Sequence, residues 1–301
     1  MSMTPQDKYH KNVMNKIIKL SFSGSCRNKN ISIDELNMIV DMFHKDTISN
    51  HDEKQENYID NPDNTNYLIC DRFATGGYGS VYIIQSQNTD KQFVAKVFHD
   101  PTSSINLNEL YINAKMPSPY MAKFLTVGIH KEKIYTVMRN HGKKINFLVK
   151  KQYFDEENIK IFIKNLFHAL FSIHSQGLVH RDLSPDNVLF NRRSRKVKLI
   201  DFGFAHCEKF HEKNINFKVC KINFRPPEVN SLSTNLHNYS DKIDIWSAGR
   251  ILQEVISCTN LKNCSFVNEV FKLTTLMLSE NPEHRPNSAQ LVQIISMRSF
   301  D

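Results

Sequence analysis

The apolar pattern of this 301-residue chain changes period at Gly142, and that change constrains the fold more than any other feature. Ahead of it lie short runs rich in Val, Ile, Tyr and Phe: "YLICDRFA", "GSVYIIQS" and "QFVAKVF", then "FLTVGIH" and "KIYTVMR". They are broken by Gly, Asn and Asp, which predicts strands. A short helix is predicted around "INLNELYINAK" between the third and fourth runs. Five strands and one helix make a small, mostly antiparallel lobe. After Gly142 the spacing becomes helical. In "EENIKIFIKNLFHALFSIHSQG" the residues Ile159, Phe162, Ile163, Leu166, Leu170 and Ile173 line one face, and Gly177 is a natural stop. The predicted class is α+β, with a β-rich part before a helical part.

A length of 301 residues suits one large domain or two lobes, and a hydrophobic content of 40% belongs to globular chains, not disordered ones. No run approaches the ~18 apolar residues of a membrane span. The start, "MSMTPQDKYHKNVMNK", lacks the apolar core of a signal peptide, so secretion is not expected. Six scattered cysteines form no CxxC, which favours reduced intracellular thiols over a zinc site or a disulfide framework. The net charge of +8 is uneven: residues 1–65 carry 8 Lys/Arg against 10 Asp/Glu, leaving 31 against 21 for the rest. A basic body suits phosphate-bearing or acidic partners, although a solvated Lys-rich surface explains the charge equally well.

Residues 1–66 read as a helical extension and linker. "SIDELNMIVDMFHK" opens with a capping box, Ser32 and Glu35, followed by Leu36, Ile39, Val40 and Phe43 at helical spacing. A shorter helix is predicted over 7–20, and residues 50–66 are polar and aperiodic. The remaining parts are assigned as 67–142 and 143–301.

Chemistry concentrates in three places. In "ATGGYGSVY" (74–82), Gly76, Gly77 and Gly79 let backbone N–H groups approach phosphate oxygens, though a plain hairpin turn has the same composition. Lys96, inside the apolar "FVAKVF", needs an ion-pair partner. Between Lys96 and Met121 the only carboxylates are Asp100 and Glu109; Asp100 is too near in sequence, so Glu109 is the expected partner. In "GLVHRDLSPDNVLF" (177–190), Asp182 can accept a proton from an attacking hydroxyl, and Asn187 offers a neutral oxygen ligand for Mg²⁺. Asp201, fourteen residues after Asn187 at the end of "VKLID", is a second hard oxygen donor. These are the parts needed to hold a nucleoside triphosphate with Mg²⁺ and present its terminal phosphate.

Over residues 67–298 the chain resembles the eukaryotic-type protein kinases. Its "VHRDLSPDN" fits H-R-D-L-x-x-x-N, Asp201-Phe202-Gly203 is the D-F-G triplet, and "FRPPEV" matches A-P-E with Pro226 in place of Ala. "DIWSAG" (244–249) and "NPEHRP" match two later elements, so Arg285 is expected to pair with Glu228. The resemblance implies a bilobal fold with a β-rich first lobe and a helical second lobe. It also implies that Lys96, fixed by Glu109, holds the α- and β-phosphates of ATP, and that Asp182 orients the substrate hydroxyl. Asn187 and Asp201 hold Mg²⁺. Val81 and Val94 cover the adenine, Met138 sits at the back of its pocket, and Arg139–His141 form the hinge. His180 is read as structural. The implied reaction is phosphorylation of serine or threonine in protein substrates, with no requirement for nucleic acid or membrane. The implied compartment is intracellular, the cytoplasm or nucleus, including that of an infected host cell. "NRRSRK" (191–196) reads as a hairpin turn in preference to a nuclear-import signal.

The sequence departs from the family pattern at several points. Ala74 replaces the first glycine of the loop, and Ser184 stands where a lysine is usual. Lys221 occupies a position usually held by threonine and is a candidate for the missing cation; an exposed lysine on a basic loop is the open alternative. Residues 201–228 contain no Ser, Thr or Tyr, which predicts a kinase active as made, with Glu208 or Glu212 partnering Arg181. Only 41 positions separate Asp244 from Arg285, a short stretch for this family. Two other readings stand beside the kinase: a pseudokinase acting as a nucleotide-binding scaffold, favoured by Ala74 and Ser184, and a small-molecule phosphotransferase, disfavoured by "RPPEV" and "DIWSAG".

Overall fold

The computed structural model describes residues 58–59, 67–86, 89, 91–100, 103–116, 118–130, 133–207, 219–230, 240–259 and 265–297. The helices expected over 7–20 and after Ser32, and the pairing expected of Glu208 or Glu212, lie outside these residues. The chain divides into two compact units, residues 1–117 with 122–140, and residues 118–121 with 141–301.

The first unit is built on a six-stranded antiparallel sheet. Its strands are β1 (Tyr58–Ile59), β2 (Tyr67–Thr75), β3 (Gly79–Ser86), β4 (Gln92–Phe98), β5 (Phe124–His130) and β6 (Lys133–Arg139), in the order β1-β2-β3-β4-β6-β5. All five apolar runs form strands, and the stretch read as linker adds the two-residue β1, which pairs with β2. Strand alternation sends Tyr67, Ile84, Ala95, Tyr135 and Val137 into one cluster. The helix α1 (Ser104–Lys115) buries Leu107, Leu110 and Ile112, and also three asparagines, of which Asn106 and Asn113 fasten it. Asn106 donates to the Asp100 carbonyl at 2.8 Å, and Asn113 both donates to Ala122 O (3.2 Å) and accepts from the Phe124 amide (2.9 Å). The Asn113 bonds hold the end of the helix against the start of β5, and the Asn106 bond ties its first turn to the segment just after β4.

The second unit is helical, as expected from the 3.6-residue period. Its short strands are β7 (Lys143–Lys144), β8 (Leu178–Val179), β9 (Val188–Asn191), β10 (Lys196–Leu199) and β11 (His206–Cys207), and its helices are α2 (Ile145–Lys150), α3 (Glu156–His174), α4 (Pro227–Asn230), α5 (Lys242–Ser257), α6 (Ser265–Met277) and α7 (Ser288–Met297). The Asp155 side chain caps α3 by accepting from the Asn158 amide at 2.8 Å, and Glu156 and Glu157 occupy the positive end of the helix dipole. All six residues of its predicted apolar face are fully buried. Strands β9 and β10 pair antiparallel around residues 192–195, so "NRRSRK" is a hairpin turn. Gly142 has φ +119°, and a Cβ there would strike the Phe190 carbonyl, so only glycine suits the entry to β7. Among the described residues no helix is long and apolar enough to cross a membrane.

Candidate active site

In the first unit the glycine loop is the turn joining β2 to β3, so the hairpin reading holds. The Gly76 amide donates to Gly79 O at 2.9 Å; a Cβ on Gly79 would sit 2.8 Å from Val97 O, whereas one on Gly77 would meet nothing. In the register of the sheet Val81 lies opposite Lys96, and Val94 opposite Met138. Lys96 Nζ reaches Glu109 Oε2 on α1 at 2.6 Å, with only 12% and 5% of the two side chains exposed. The ammonium also lies 5.2 Å from the centre of the Phe98 ring. The pairing expected from elimination is therefore present. Desolvating both charges is costly, and attraction at this distance offsets much of that cost.

In the second unit the loop from 180 to 187 is hung on Asp244, a fully buried carboxylate at the start of α5. Asp244 accepts from the His180 amide (2.7 Å), the Arg181 amide (2.9 Å) and His174 Nε2 (3.0 Å). Burial alone would raise its pKa, yet the bond and charge of His174, with His180, hold it below the usual value. His180 is structural, as read. Its Nε2 sits 3.0 Å from Ile200 O, and its ring packs 4.7 Å from that of Phe202. Arg181 is 1% exposed and donates from Nε to Phe204 O at 2.8 Å.

Asn187 Nδ2 donates to both Asp182 O (2.8 Å) and Asp182 Oδ2 (2.9 Å), which leaves the amide oxygen as the donor this side chain can offer a cation. Burial raises the Asp182 pKa above the ordinary carboxylate value; His180 opposes this, Asp201 adds to it, and Lys221 and the Asn187 bond oppose it. Mutual repulsion of Asp182 and Asp201 is what a divalent cation relieves. The donors are all hard oxygens, so Asn187 and Asp201 fit Mg²⁺. Among the described residues no group of three or more His, Cys, Asp or Glu forms a soft-metal alternative.

Lys221 extends its ammonium to Asp186 Oδ2 at 2.9 Å, while Asn146 of α2 donates to Asp186 Oδ1. Ser184 is fully buried, and its Oγ has no hydrogen-bond partner. Farther along, Arg285 is 1% exposed and forks onto Glu228 at 2.6 and 2.8 Å, the expected brace. Sequence reasoning assigned no role to Asp244, Asp186 or Asn146. The signal for Asp244 was a carboxylate among isoleucines in "DIWSAG"; Asn146 and Asp186, forty residues apart, carried none.

The family model for the protein kinase domain matches residues 67–263. The chain is 40% identical over 98 residues to glycogen synthase kinase 1 of Pyricularia oryzae, covering 33% of this chain and 24% of that protein. It is 27% identical over 216 residues to the ovarian-specific serine/threonine-protein kinase Lok of Drosophila melanogaster, covering 65% of this chain and 44% of that protein. The aligned part is thus less than half the length of either relative.

Proposed function

The chain belongs to the protein kinase domain family, and on that premise we propose that it transfers the terminal phosphate of ATP to serine or threonine hydroxyls of protein substrates. The observation that carries the proposal is the 2.6 Å pair of Lys96 and Glu109, both nearly buried. A scaffold gains little from two desolvated charges, whereas phosphate binding needs a lysine locked in place. Gly76, Gly77 and Gly79 carry no side chain to hold phosphate off the backbone of their turn, and Val81, Val94 and Met138 offer the apolar surface a nucleobase requires. Asn187 and Asp201 would hold Mg²⁺, which with ATP supplies the phosphoryl group and neutralises its charge.

Asp182 aims the substrate hydroxyl and accepts its proton as the new O–P bond forms and the bond to the leaving ADP oxygen breaks. Burial makes this carboxylate a stronger base than a solvated one. Residues 201–228 offer no hydroxyl to phosphorylate, so transfer is independent of phosphorylation within that stretch. ATP is an intracellular nucleotide, which makes the cytoplasm or nucleus the proposed compartment, and no part of the reaction calls for nucleic acid.

Incubation with labelled ATP and a protein mixture, followed by phosphoamino-acid analysis, tests this reading. Labelled phosphoserine or phosphothreonine is expected, with a loss of about 1,000-fold in Asp182→Asn. Nucleotide binding without transfer would instead establish the scaffold reading, for which Ala74 and the unpartnered Ser184 speak.

A further inference from the structure

Two residues in left-handed backbone conformation face each other beside the catalytic loop: Arg181 (φ +63°) and Cys220 (φ +64°). The Cys220 amide donates to Arg181 O at 2.8 Å, so the residues that follow them, Asp182 and Lys221, leave from neighbouring points. The segment carrying Lys221 is pinned independently. Arg225 Nη2 donates to Cys220 O (2.8 Å), the Phe224 amide to Lys221 O (2.8 Å), and Ser247 Oγ of α5 to Phe224 O (2.9 Å). Its backbone is therefore preorganised without any phosphate, and only the lysine side chain is free to swing. That side chain is 42% exposed and rests on Asp186, itself 38% exposed. Asp186 also accepts from Asn146 and lies 4.0 Å from Lys144 Nζ, so Lys221 is not its sole partner.

We propose that Lys221 is the cation of the phosphoryl-transfer site, parked on Asp186 at rest and moving to the terminal phosphate of the bound nucleotide. The proposal rests on the kinase reading for its site and deepens it by naming the group that neutralises the moving phosphoryl. A preorganised charge aimed where negative charge develops is among the largest contributions a site can make. An exposed pair such as Lys221–Asp186 holds its partners weakly, so exchange of one anion for another costs little. Ser184 supplies no charge from its own position.

The test compares two nucleotides by calorimetry: magnesium adenylyl-imidodiphosphate, which keeps a terminal phosphate, and magnesium ADP, which lacks one. Lys221→Met is expected to weaken the triphosphate analogue about tenfold and leave ADP unchanged, as loss of one charge-assisted bond predicts. Asp186→Asn keeps the preference for the triphosphate, because it frees the ammonium without removing it. Lys221→Arg recovers part of the preference, and so does the exchange Lys221→Thr with Ser184→Lys. In turnover, Lys221→Met lowers kcat about 100-fold with little change in KM for the protein substrate. An unchanged triphosphate preference in Lys221→Met overturns the proposal. So does an equal loss in Asp186→Asn, which would make the pair a structural clamp only. A wild-type chain that binds the analogue yet transfers nothing refutes the kinase reading, while the nucleotide comparison still decides the role of Lys221.

Discussion

In the first unit Lys96 meets Glu109 at 2.6 Å with 12% and 5% of the side chains exposed; in the second, Lys221 meets Asp186 at 2.9 Å with 42% and 38% exposed. Both are lysine–carboxylate contacts of similar length, but water competes for only one of them. The buried lysine is held against Glu109 where little water reaches it, and keeps one geometry. The exposed lysine is held by about 0–1 kcal/mol, so its position is negotiable. Distance alone therefore says little about what a pair is for. Burial separates a fixed part from a movable one.

The largest expected effect breaks the buried pair. Glu109→Gln removes the carboxylate charge that Lys96 meets at 2.6 Å in a nearly buried pair and should cost about 3–5 kcal/mol in urea unfolding, together with most nucleotide affinity. A loss below 1 kcal/mol would mean that Lys96 finds water and that the contrast between the two pairs is false. Next, the brace of the second unit, a buried arginine on a quarter-exposed carboxylate, tests whether burial sets the cost in both units. Glu228→Gln, opposite an Arg285 that is 1% exposed, should destabilise by about 3 kcal/mol in the same assay.

A buried histidine sharpens the comparison from the other side. Burial, with the Arg181 charge, pushes the pKa of His206 from its ordinary 6.5 down to about 4. The unfolded chain takes up the proton near 6.5 and the folded chain refuses it until about 4. Stability should thus fall by about 3 kcal/mol as pH drops through that interval, and His206→Gln should flatten this part of the profile. The smallest effect belongs to the exposed pair: Asp186→Asn should change unfolding stability by less than about 1 kcal/mol.

Much of the architecture was legible because it is local. The Val-, Ile-, Tyr- and Phe-rich runs between residues 67 and 139 and the helical period after Gly142 follow from which face of each element is buried, and α3 lies where its apolar face and Gly177 place it. Lys96 and Glu109 were legible by elimination, since a lysine inside an apolar strand must find one of very few carboxylates. The support of the loop from 180 to 187 was not legible. Asp244 binds amides 64 and 63 residues away, through main-chain donors that every residue type carries. The strand β1 was hidden for a similar reason: two residues are too short to show a period.

The sequence by itself determined the residue types that can do the chemistry, their order along the chain, and the segments that become strand or helix, because periodicity and glycine placement act over a few residues. Tertiary structure decided which charges are buried and which remain free to move. The ammonium of Lys221 rests on Asp186 because two left-handed residues, thirty-nine positions apart, close one backbone hydrogen bond. Exposure and long-range backbone pairing belong to the folded chain, so no local pattern could have named Asp186 as the carboxylate on which Lys221 rests.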